Sequence, residues 1–179
     1  LLLKPKNQPK QPLLRVYQLF AKAALNQSII QTLKTQKSKH RVSDSMDVAY
    51  CLIDLYNRKF EFVGANRPCY VIRNKHLIII PGDKVSIGSE KDIEEDLTCH
   101  GFDLEIGDCV YIFSDGFYDQ FGGANFKKFK KKEFANLLIS VSEYEMNVQK
   151  KLLEKAFDSW KGHFDQTDDV LLMGMKITQ

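Results

Sequence analysis

The sequence has no long hydrophobic run. No apolar stretch approaches the roughly 18 residues that a membrane-spanning helix needs, and no secretory leader with a small-residue cleavage site is recognisable. The 179 residues are 44% apolar and 27% charged, which is ordinary for a globular chain. This length accommodates one domain with a hydrophobic core and some additional structure at one end.

Closely spaced cysteine pairs are also missing. The four cysteines, Cys51, Cys69, Cys99 and Cys109, form no Cys-x-x-Cys motif, so the spacing does not favour disulfides or a zinc site. Cys51, Cys69 and Cys109 lie within apolar runs, where a reduced cysteine behaves as a small hydrophobic residue. We therefore expect buried thiols and a reducing, cytoplasmic compartment.

Charge of one sign is not in large excess. The 26 lysines and arginines and 23 acidic residues give a formal net charge of +3, which is too small to indicate nucleic-acid binding. The basic segment FKKFKKKEF at 126–134 is interpreted as the solvated start of a helix rather than as a phosphoprotein docking site. We expect no nucleic-acid partner.

Several common catalytic motifs are absent. The sequence contains no GxSxG, P-loop, GxGxxG or HExxH pattern, so it does not favour a serine nucleophile, a nucleotide-binding loop or a zinc protease. The histidines are expected to be surface or sheet residues rather than general bases, because they lie in unrelated contexts: His40, His76, His100 and His163.

Hydrophobic periodicity predicts helices near both ends of the chain and strands between them. Residues 1–12 are interpreted as a linker or displaced end, and apolar spacing of three and four predicts an amphipathic helix over 13–34. A period of two predicts short strands at 48–55, 60–64, 69–73, 76–80, 97–104 and 109–114. Further amphipathic helices are predicted at 131–142 and 147–160, the second ending at a C-cap glycine, Gly162.

The connections between these strands determine the expected fold class. Short turns such as Asn74-Lys75 indicate antiparallel hairpins rather than parallel strands joined by helices. The nearly all-apolar segment 169–177 predicts a central strand at the end of the chain. The sequence therefore predicts an α+β protein in which helices cover an antiparallel sheet.

Carboxylates stand at the ends of two of these strands. The apolar run before Asp115-Gly116 stops abruptly, and Asp168 precedes the final strand. A carboxylate at the edge of a core is costly to desolvate without a positive partner, and neither residue has a lysine or arginine beside it in sequence. Oxygen ligands of this kind suit Mg²⁺ or Mn²⁺. The pattern is compatible with a metal site, and equally with a turn at Asp115 and a cap at Asp168.

Four segments in order resemble a known family. SMDVAYCLIDL, FEFVGANRPCYVIR, LEIGDCVYIFSDGFYDQFGG and TDDVLLMGMKI look like the catalytic module of the SpoIIE/RsbU type of PPM protein phosphatases. The resemblance implies an α-β-β-α sandwich of antiparallel sheets flanked by helices, with residues 13–179 as one domain. It also implies a protein serine/threonine phosphatase that uses two Mn²⁺ or Mg²⁺ ions.

The resemblance assigns roles to individual residues. It implies that Asp115 and Asp168 are catalytic metal ligands, and that Asp169 and Asp119 reach the site through water or an additional ion. For Asn66 and Arg67, in the GANRP turn, a structural role and a binding role both stay open. The implied partner is a phosphorylated regulatory protein of the anti-sigma-factor antagonist type, with room for a sensor domain upstream.

The sequence departs from the family pattern before Ser43. A segment resembling the family's metal-binding DCTGHGVPGA motif is not found, and Ser45 stands where relatives usually carry glycine. The chain is therefore expected to be a partial phosphatase domain, incomplete at its N-terminus and inactive by itself. The alternative is a catalytically inactive interaction module that keeps the phosphatase fold.

Overall fold

The structure, a computed structural model, describes residues 46–87 and 97–178. The expected linker at 1–12 and the expected helix at 13–34 lie outside these residues. Within the described part of the chain, no helix is long and apolar enough to cross a membrane.

The strands and helices predicted for the described residues are present in the predicted order, and a short helix and a short hairpin that were not predicted lie between residues 116 and 128. The strands are β1 (Val48–Asp54), β2 (Lys59–Ala65), β3 (Cys69–Arg73), β4 (His76–Ile80), β5 (His100–Asp103), β6 (Cys109–Phe113), β7 (Phe121–Gly122), β8 (Lys127–Lys128) and β9 (Leu172–Lys176). The helices are α1 (Gly116–Asp119), α2 (Lys131–Val141) and α3 (Met146–Lys161). Gly162 ends α3 with a positive φ of 59°, and its N–H donates to the Asp158 carbonyl, as the C-cap prediction requires.

The strands form two main antiparallel sheets. Sheet one has the order β1-β2-β5, sheet two has the order β4-β3-β6-β9, and β7 pairs with β8 as a short hairpin. Asn74 and Lys75 both have positive φ, 49° and 63°, as a two-residue turn between twisted antiparallel strands requires. The α+β class with antiparallel sheets is confirmed.

Within the described residues, the last strand does not take the central position that the sequence predicts. The apolar run before the C-terminus suggested a central strand, but among the described strands β9 lies at the edge of sheet two and pairs with β6 alone. Met173 is half-exposed there, and Leu171 just before the strand is exposed to a similar degree. Apolar content reports which residues can be buried rather than which strands are adjacent, so it did not predict this arrangement of the described strands.

Two apolar cores separate three layers. One core fills the space between the sheets and includes Phe60, Phe62, Cys69, Val71, Ile78, Ile80 and Val110. The other lies between sheet two and the long helices and includes Tyr70, Ile72, Tyr111, Phe113, Phe134, Leu138 and Leu153. Alternate residues of β3 enter the two cores, so this strand is apolar from Cys69 to Ile72, whereas β1 alternates between inward and exposed side chains.

A buried ion pair joins β3 to the turn before β6. Asp108 is 1% exposed and accepts hydrogen bonds from Nε and Nη2 of Arg73. The same arginine contacts Glu105 through Nη1 at 2.7 Å. The hydrogen bond to Asp108 raises the pKa of Arg73 against the effect of burial. This bidentate geometry satisfies a carboxylate that would otherwise be very costly to bury.

A second buried polar contact joins α3 to sheet two. Tyr111 donates its hydroxyl to Oε1 of Gln149 at 2.6 Å, and Nε2 of Gln149 donates to the Tyr144 carbonyl at 2.9 Å. Both side chains are fully buried, and burial raises the pKa of Tyr111. Each group would lack a partner without the other, so the pair fixes the position of α3 on the sheet.

We predict that Gln149→Met destabilises the fold by about 2–3 kcal/mol, because the shape is kept while the buried Tyr111 hydroxyl loses its acceptor. Urea unfolding measures this, with the exposed residue change Lys150→Ala as a control expected to stay within about 0.5 kcal/mol. Adding Tyr111→Phe to Gln149→Met should recover part of the loss. A double variant no more stable than Gln149→Met would contradict the role of the hydroxyl.

Candidate active site

Asp115 stands at the junction of β6 and α1. The strand ends at Phe113, and Asp115 already has helical dihedral angles, φ −77° and ψ −17°. Its side chain makes no capping hydrogen bond to α1 and is 35% exposed. The carboxylate is therefore directed away from the helix that it precedes and is accessible at the end of sheet two.

The segment that carries Asp168 and Asp169 lies against this junction. Ser114 donates its hydroxyl to the Asp169 carbonyl at 2.8 Å and accepts from the Leu171 N–H at 2.9 Å. A Cβ on Gly116 would overlap the same Asp169 carbonyl, so glycine permits this close approach. The structure thus brings the two acidic segments into backbone contact, although they are far apart in sequence.

Gln120 holds the approach to Asp168 in place. Its side chain is fully buried. Nε2 donates to the carbonyls of Phe121 and Asp165 at 2.8 and 2.9 Å, and Oε1 accepts from the Thr167 N–H at 3.0 Å. All of its amide groups are thus used on the backbone, mostly of the loop that leads to Asp168. This role was not predicted from the sequence, because the groups that Gln120 binds are main-chain groups.

Asp119 occupies a different position from the other acids. It lies at the end of α1, and its carboxylate is 3.1 Å from Nζ of Lys128 in the short hairpin. Its neighbour Tyr118 is buried, and burial together with the charge of Asp115 raises the pKa of Tyr118 to about 12. This tyrosine therefore stays protonated at neutral pH.

The positive partner of Asp115 is Arg67. Nη1 of Arg67 is 2.9 Å from Oδ2 of Asp115, and Nη2 is 3.2 Å from Oδ2 of Asp47. Oδ1 of Asp47 accepts from the Asn66 side-chain amide at 2.9 Å and from the Ser86 hydroxyl at 3.1 Å. Sequence reasoning found no cation for Asp115, because it looked only at adjacent positions.

Two glycines fix the backbone at Arg67. A Cβ on Gly64 would overlap the Arg67 carbonyl oxygen, and a Cβ on Gly82 would lie 2.5 Å from it. Asn66 has a positive φ of 54°, and its N–H donates to the Asp83 carbonyl at 2.7 Å. The GANRP turn is therefore packed closely against the PGD segment after β4, which directs Arg67 toward the acids.

The donor chemistry of the site suits a hard divalent cation only in part. Carboxylate oxygens at Asp115 and Asp168 are the ligand type that Mg²⁺ and Mn²⁺ prefer. Among residues 46–87 and 97–178, however, no three acidic, histidine or cysteine side chains come together as a metal-binding group. An ion held by these residues alone would keep most of its water, so they fit as part of a ligand set.

Comparisons with known proteins agree with the fold. A family model described as Stage II sporulation protein E (SpoIIE) matches residues 13–178. The SiaA-PP2C domain of Pseudomonas aeruginosa is 23% identical with a TM-score of 0.73, over 86% of this chain and 60% of that one. This chain therefore spans less than two thirds of the length of that relative.

Two further solved structures share the architecture. The phosphatase domain of SpoIIE from Bacillus subtilis is 13% identical with a TM-score of 0.58, over 97% of this chain and 77% of that one. The catalytic domain of the serine/threonine phosphatase PstP, in complex with two manganese ions, is 14% identical with a TM-score of 0.62, over 97% and 75%. A comparison with curated protein sequences gives no significant match.

We predict that Gly82→Ala destabilises the protein by about 1–3 kcal/mol, because the added methyl group meets the Arg67 backbone and forces it to move. Gly101→Ala is the matched control, since a Cβ at that position meets nothing within 4 Å. Urea unfolding compares the two variants. Equal stabilities would contradict the close packing of the GANRP turn.

Proposed function

This chain belongs to the SpoIIE family of phosphatase domains, and we propose that it hydrolyses phosphoserine or phosphothreonine on a regulatory protein. One observation carries the proposal. Asp115 leaves β6 at the point where the Asp168-Asp169 segment contacts the same junction through Ser114. Two acidic segments at one end of sheet two provide the oxygen-rich site that phosphoryl transfer with a hard cation requires.

Asp115 and Asp168 are the proposed catalytic and metal-binding residues. Bound Mn²⁺ or Mg²⁺ would supply an activated water and neutralise charge on the phosphoryl group. Asp115 would contribute an accessible carboxylate, and Gln120 would keep the loop before Asp168 in position. Asp169 and Asp119 are proposed as outer contributors, with Asp119 already engaged by Lys128. No covalent nucleophile is needed in this mechanism.

The remaining proposals concern context. We propose residues 13–179 as the phosphatase domain, which the family match over 13–178 supports, with 1–12 as a linker. The proposed partner is a phosphorylated anti-sigma-factor antagonist or a similar regulatory protein. A cytoplasmic location is proposed because Cys51, Cys69 and Cys109 are thiols rather than disulfides, as a reducing compartment requires.

The second candidate function is an interaction module without catalysis. Its motivating observation is that Arg67 already compensates Asp115, while no group of three metal-binding side chains forms within the described residues. In that case the fold is retained for binding, and the acids at the end of sheet two form a purely structural ion network.

We predict that Asp115→Asn in the full-length protein abolishes Mn²⁺-dependent release of phosphate from a phosphoserine protein, because an amide is a weaker ligand and carries no charge. Asp158→Asn provides the matched control: it removes one charge from an exposed position of α3 and should leave turnover unchanged. Phosphate release is measured with and without millimolar Mn²⁺.

The outcomes separate the two candidate functions. Turnover in the unmodified protein that needs Mn²⁺ and is lost only in Asp115→Asn supports the phosphatase. Turnover no higher than that of Asp115→Asn, together with no effect of Mn²⁺ on the melting temperature, supports the interaction module instead.

We also predict that Asp168→Asn is neutral or slightly stabilising without metal. Oδ1 of Asp168 accepts the N–H of Asp169, which an asparagine oxygen can also accept, and one exposed negative charge is removed. With millimolar Mn²⁺ the variant should lose any metal-dependent rise in melting temperature. An unchanged rise in the variant would remove Asp168 from the proposed ligand set.

A further inference from the structure

The two arginines that contact buried or half-buried acids differ in their surroundings. Arg73 meets Asp108, which is 1% exposed and also accepts the Glu105 N–H, so the carboxylate of that pair is shielded from solvent. Arg67 is similarly covered, at 20% exposure, but its partners Asp47 and Asp115 are 31% and 35% exposed. The Arg67 pair therefore faces the solvent-accessible end of the sheets.

The position of Arg67 is set by its backbone. Gly64 and Gly82 both lie close against its main chain, so the direction in which the side chain leaves the backbone does not depend on the ion pairs alone. An exposed arginine normally loses side-chain entropy when it is held in one geometry, which cancels much of the gain from pairing. Because the backbone is already packed, only the side chain has to be ordered when a ligand binds, which lowers the entropic cost of binding.

The two acidic partners of Arg67 are not equivalent. Oδ1 of Asp47 accepts hydrogen bonds from Asn66 and Ser86. These bonds keep the Asp47 carboxylate in place beside Nη2 of Arg67. Asp115 makes no capping hydrogen bond, and its carboxylate is accessible. Asp115 can therefore exchange Arg67 for another cation, while Asp47 keeps the arginine in the same place.

The charges of this cluster determine what it can bind. Two carboxylates and one guanidinium leave one negative charge uncompensated, which repels an anion. When Asp115 takes a divalent cation as its partner, the formal charge of these three side chains together with the ion becomes +1. The N–H groups of Nη1 are then free to donate, and a guanidinium fork matches the oxygens of a phosphate monoester.

We propose that Arg67 is a phosphate-binding residue of this site, held by Asp47 as its positioning partner and released by Asp115 when that carboxylate binds a cation. The inference rests on the proposed phosphatase function and adds the group that recognises the phosphoryl oxygens. The sequence left a structural role and a binding role open for the GANRP turn. The proposal assigns it the binding role.

The test measures the affinity of the full-length protein for inorganic phosphate by titration calorimetry, with and without Mn²⁺. Arg67→Gln removes the charge and the fork, Arg67→Lys keeps the charge without the fork, and Arg58→Gln is the matched control on an exposed turn. We expect Arg67→Gln to weaken phosphate binding in Mn²⁺ by roughly tenfold to a hundredfold. Arg67→Lys should fall between it and the unmodified protein, and Arg58→Gln should be unchanged.

Mn²⁺ affinity provides a readout independent of turnover. Arg67→Gln should bind Mn²⁺ as tightly as the unmodified protein or more tightly, because the arginine no longer competes for Asp115. In turnover assays the same variant should raise KM for the phosphoprotein more than it lowers kcat. A purely structural bridge would instead lower folding stability and weaken Mn²⁺ and phosphate binding to the same degree.

Three results overturn the proposal: unchanged phosphate affinity in Arg67→Gln, absence of Mn²⁺-dependent phosphate binding in the unmodified protein, or failure of both Arg67 variants to fold. The proposed function fails separately, if the unmodified protein binds Mn²⁺ and phosphate but releases no phosphate from a phosphoprotein. In that last case Arg67 still binds the anion, in a recognition module rather than an enzyme.

Discussion

The guanidinium of Arg67 connects the two sheets at the end where the acids lie. Asp47 directly precedes the first strand of sheet one, Asp115 follows the strand β6 of sheet two, and Arg67 belongs to the connection between β2 and β3 that passes from one sheet to the other. The apolar core between the sheets sets their separation, but apolar contacts have no direction. The ion contacts define how the ends of the sheets are placed relative to each other.

Elsewhere in the fold, buried polar side chains position loops and a helix against the sheets. Gln120 fixes the loop before Asp168, Gln149 fixes α3 through Tyr111, and Asp108 fixes the turn before β6 through Arg73. Each is fully or almost fully buried and each has partners for its polar atoms. Networks of this kind are costly when a single member is lost, and so they specify one arrangement among many apolar packings of similar energy.

The sequence predicted most of what depends on near neighbours along the chain. Strands such as 69–73 and 76–80, the Asn74-Lys75 turn and the Gly162 cap follow from periodicity and local backbone chemistry, and the structure contains them. Contacts between distant segments were not predictable in this way. The place of β9 beside β6 depends on which strands pair, and the partner of Asp115 comes from the connection before β3, the strand that neighbours β6 in sheet two.

The candidate site was predicted in the same uneven manner. The motif around Asp115-Gly116 and the acids before β9 pointed to one end of the sheets, and the backbone contact through Ser114 brings those segments together. The roles of Gln120 and Arg67 were missed because their partners are main-chain groups or distant carboxylates. Spacing along the sequence does not report contacts of either kind, so these two roles became visible only in the structure.

The glycines at 64 and 82 hold the backbone of Arg67 in position independently of its side chain. Because the backbone is held by close packing of main chain on main chain, shortening the side chain would leave a preformed gap between Asp47 and Asp115, bounded by two carboxylates and open to solvent. That gap would be complementary in shape and charge to a free guanidinium ion. A variant with a shortened side chain at position 67 would therefore bind a small soluble cation in this gap. Added guanidinium would replace the missing guanidinium group of the arginine.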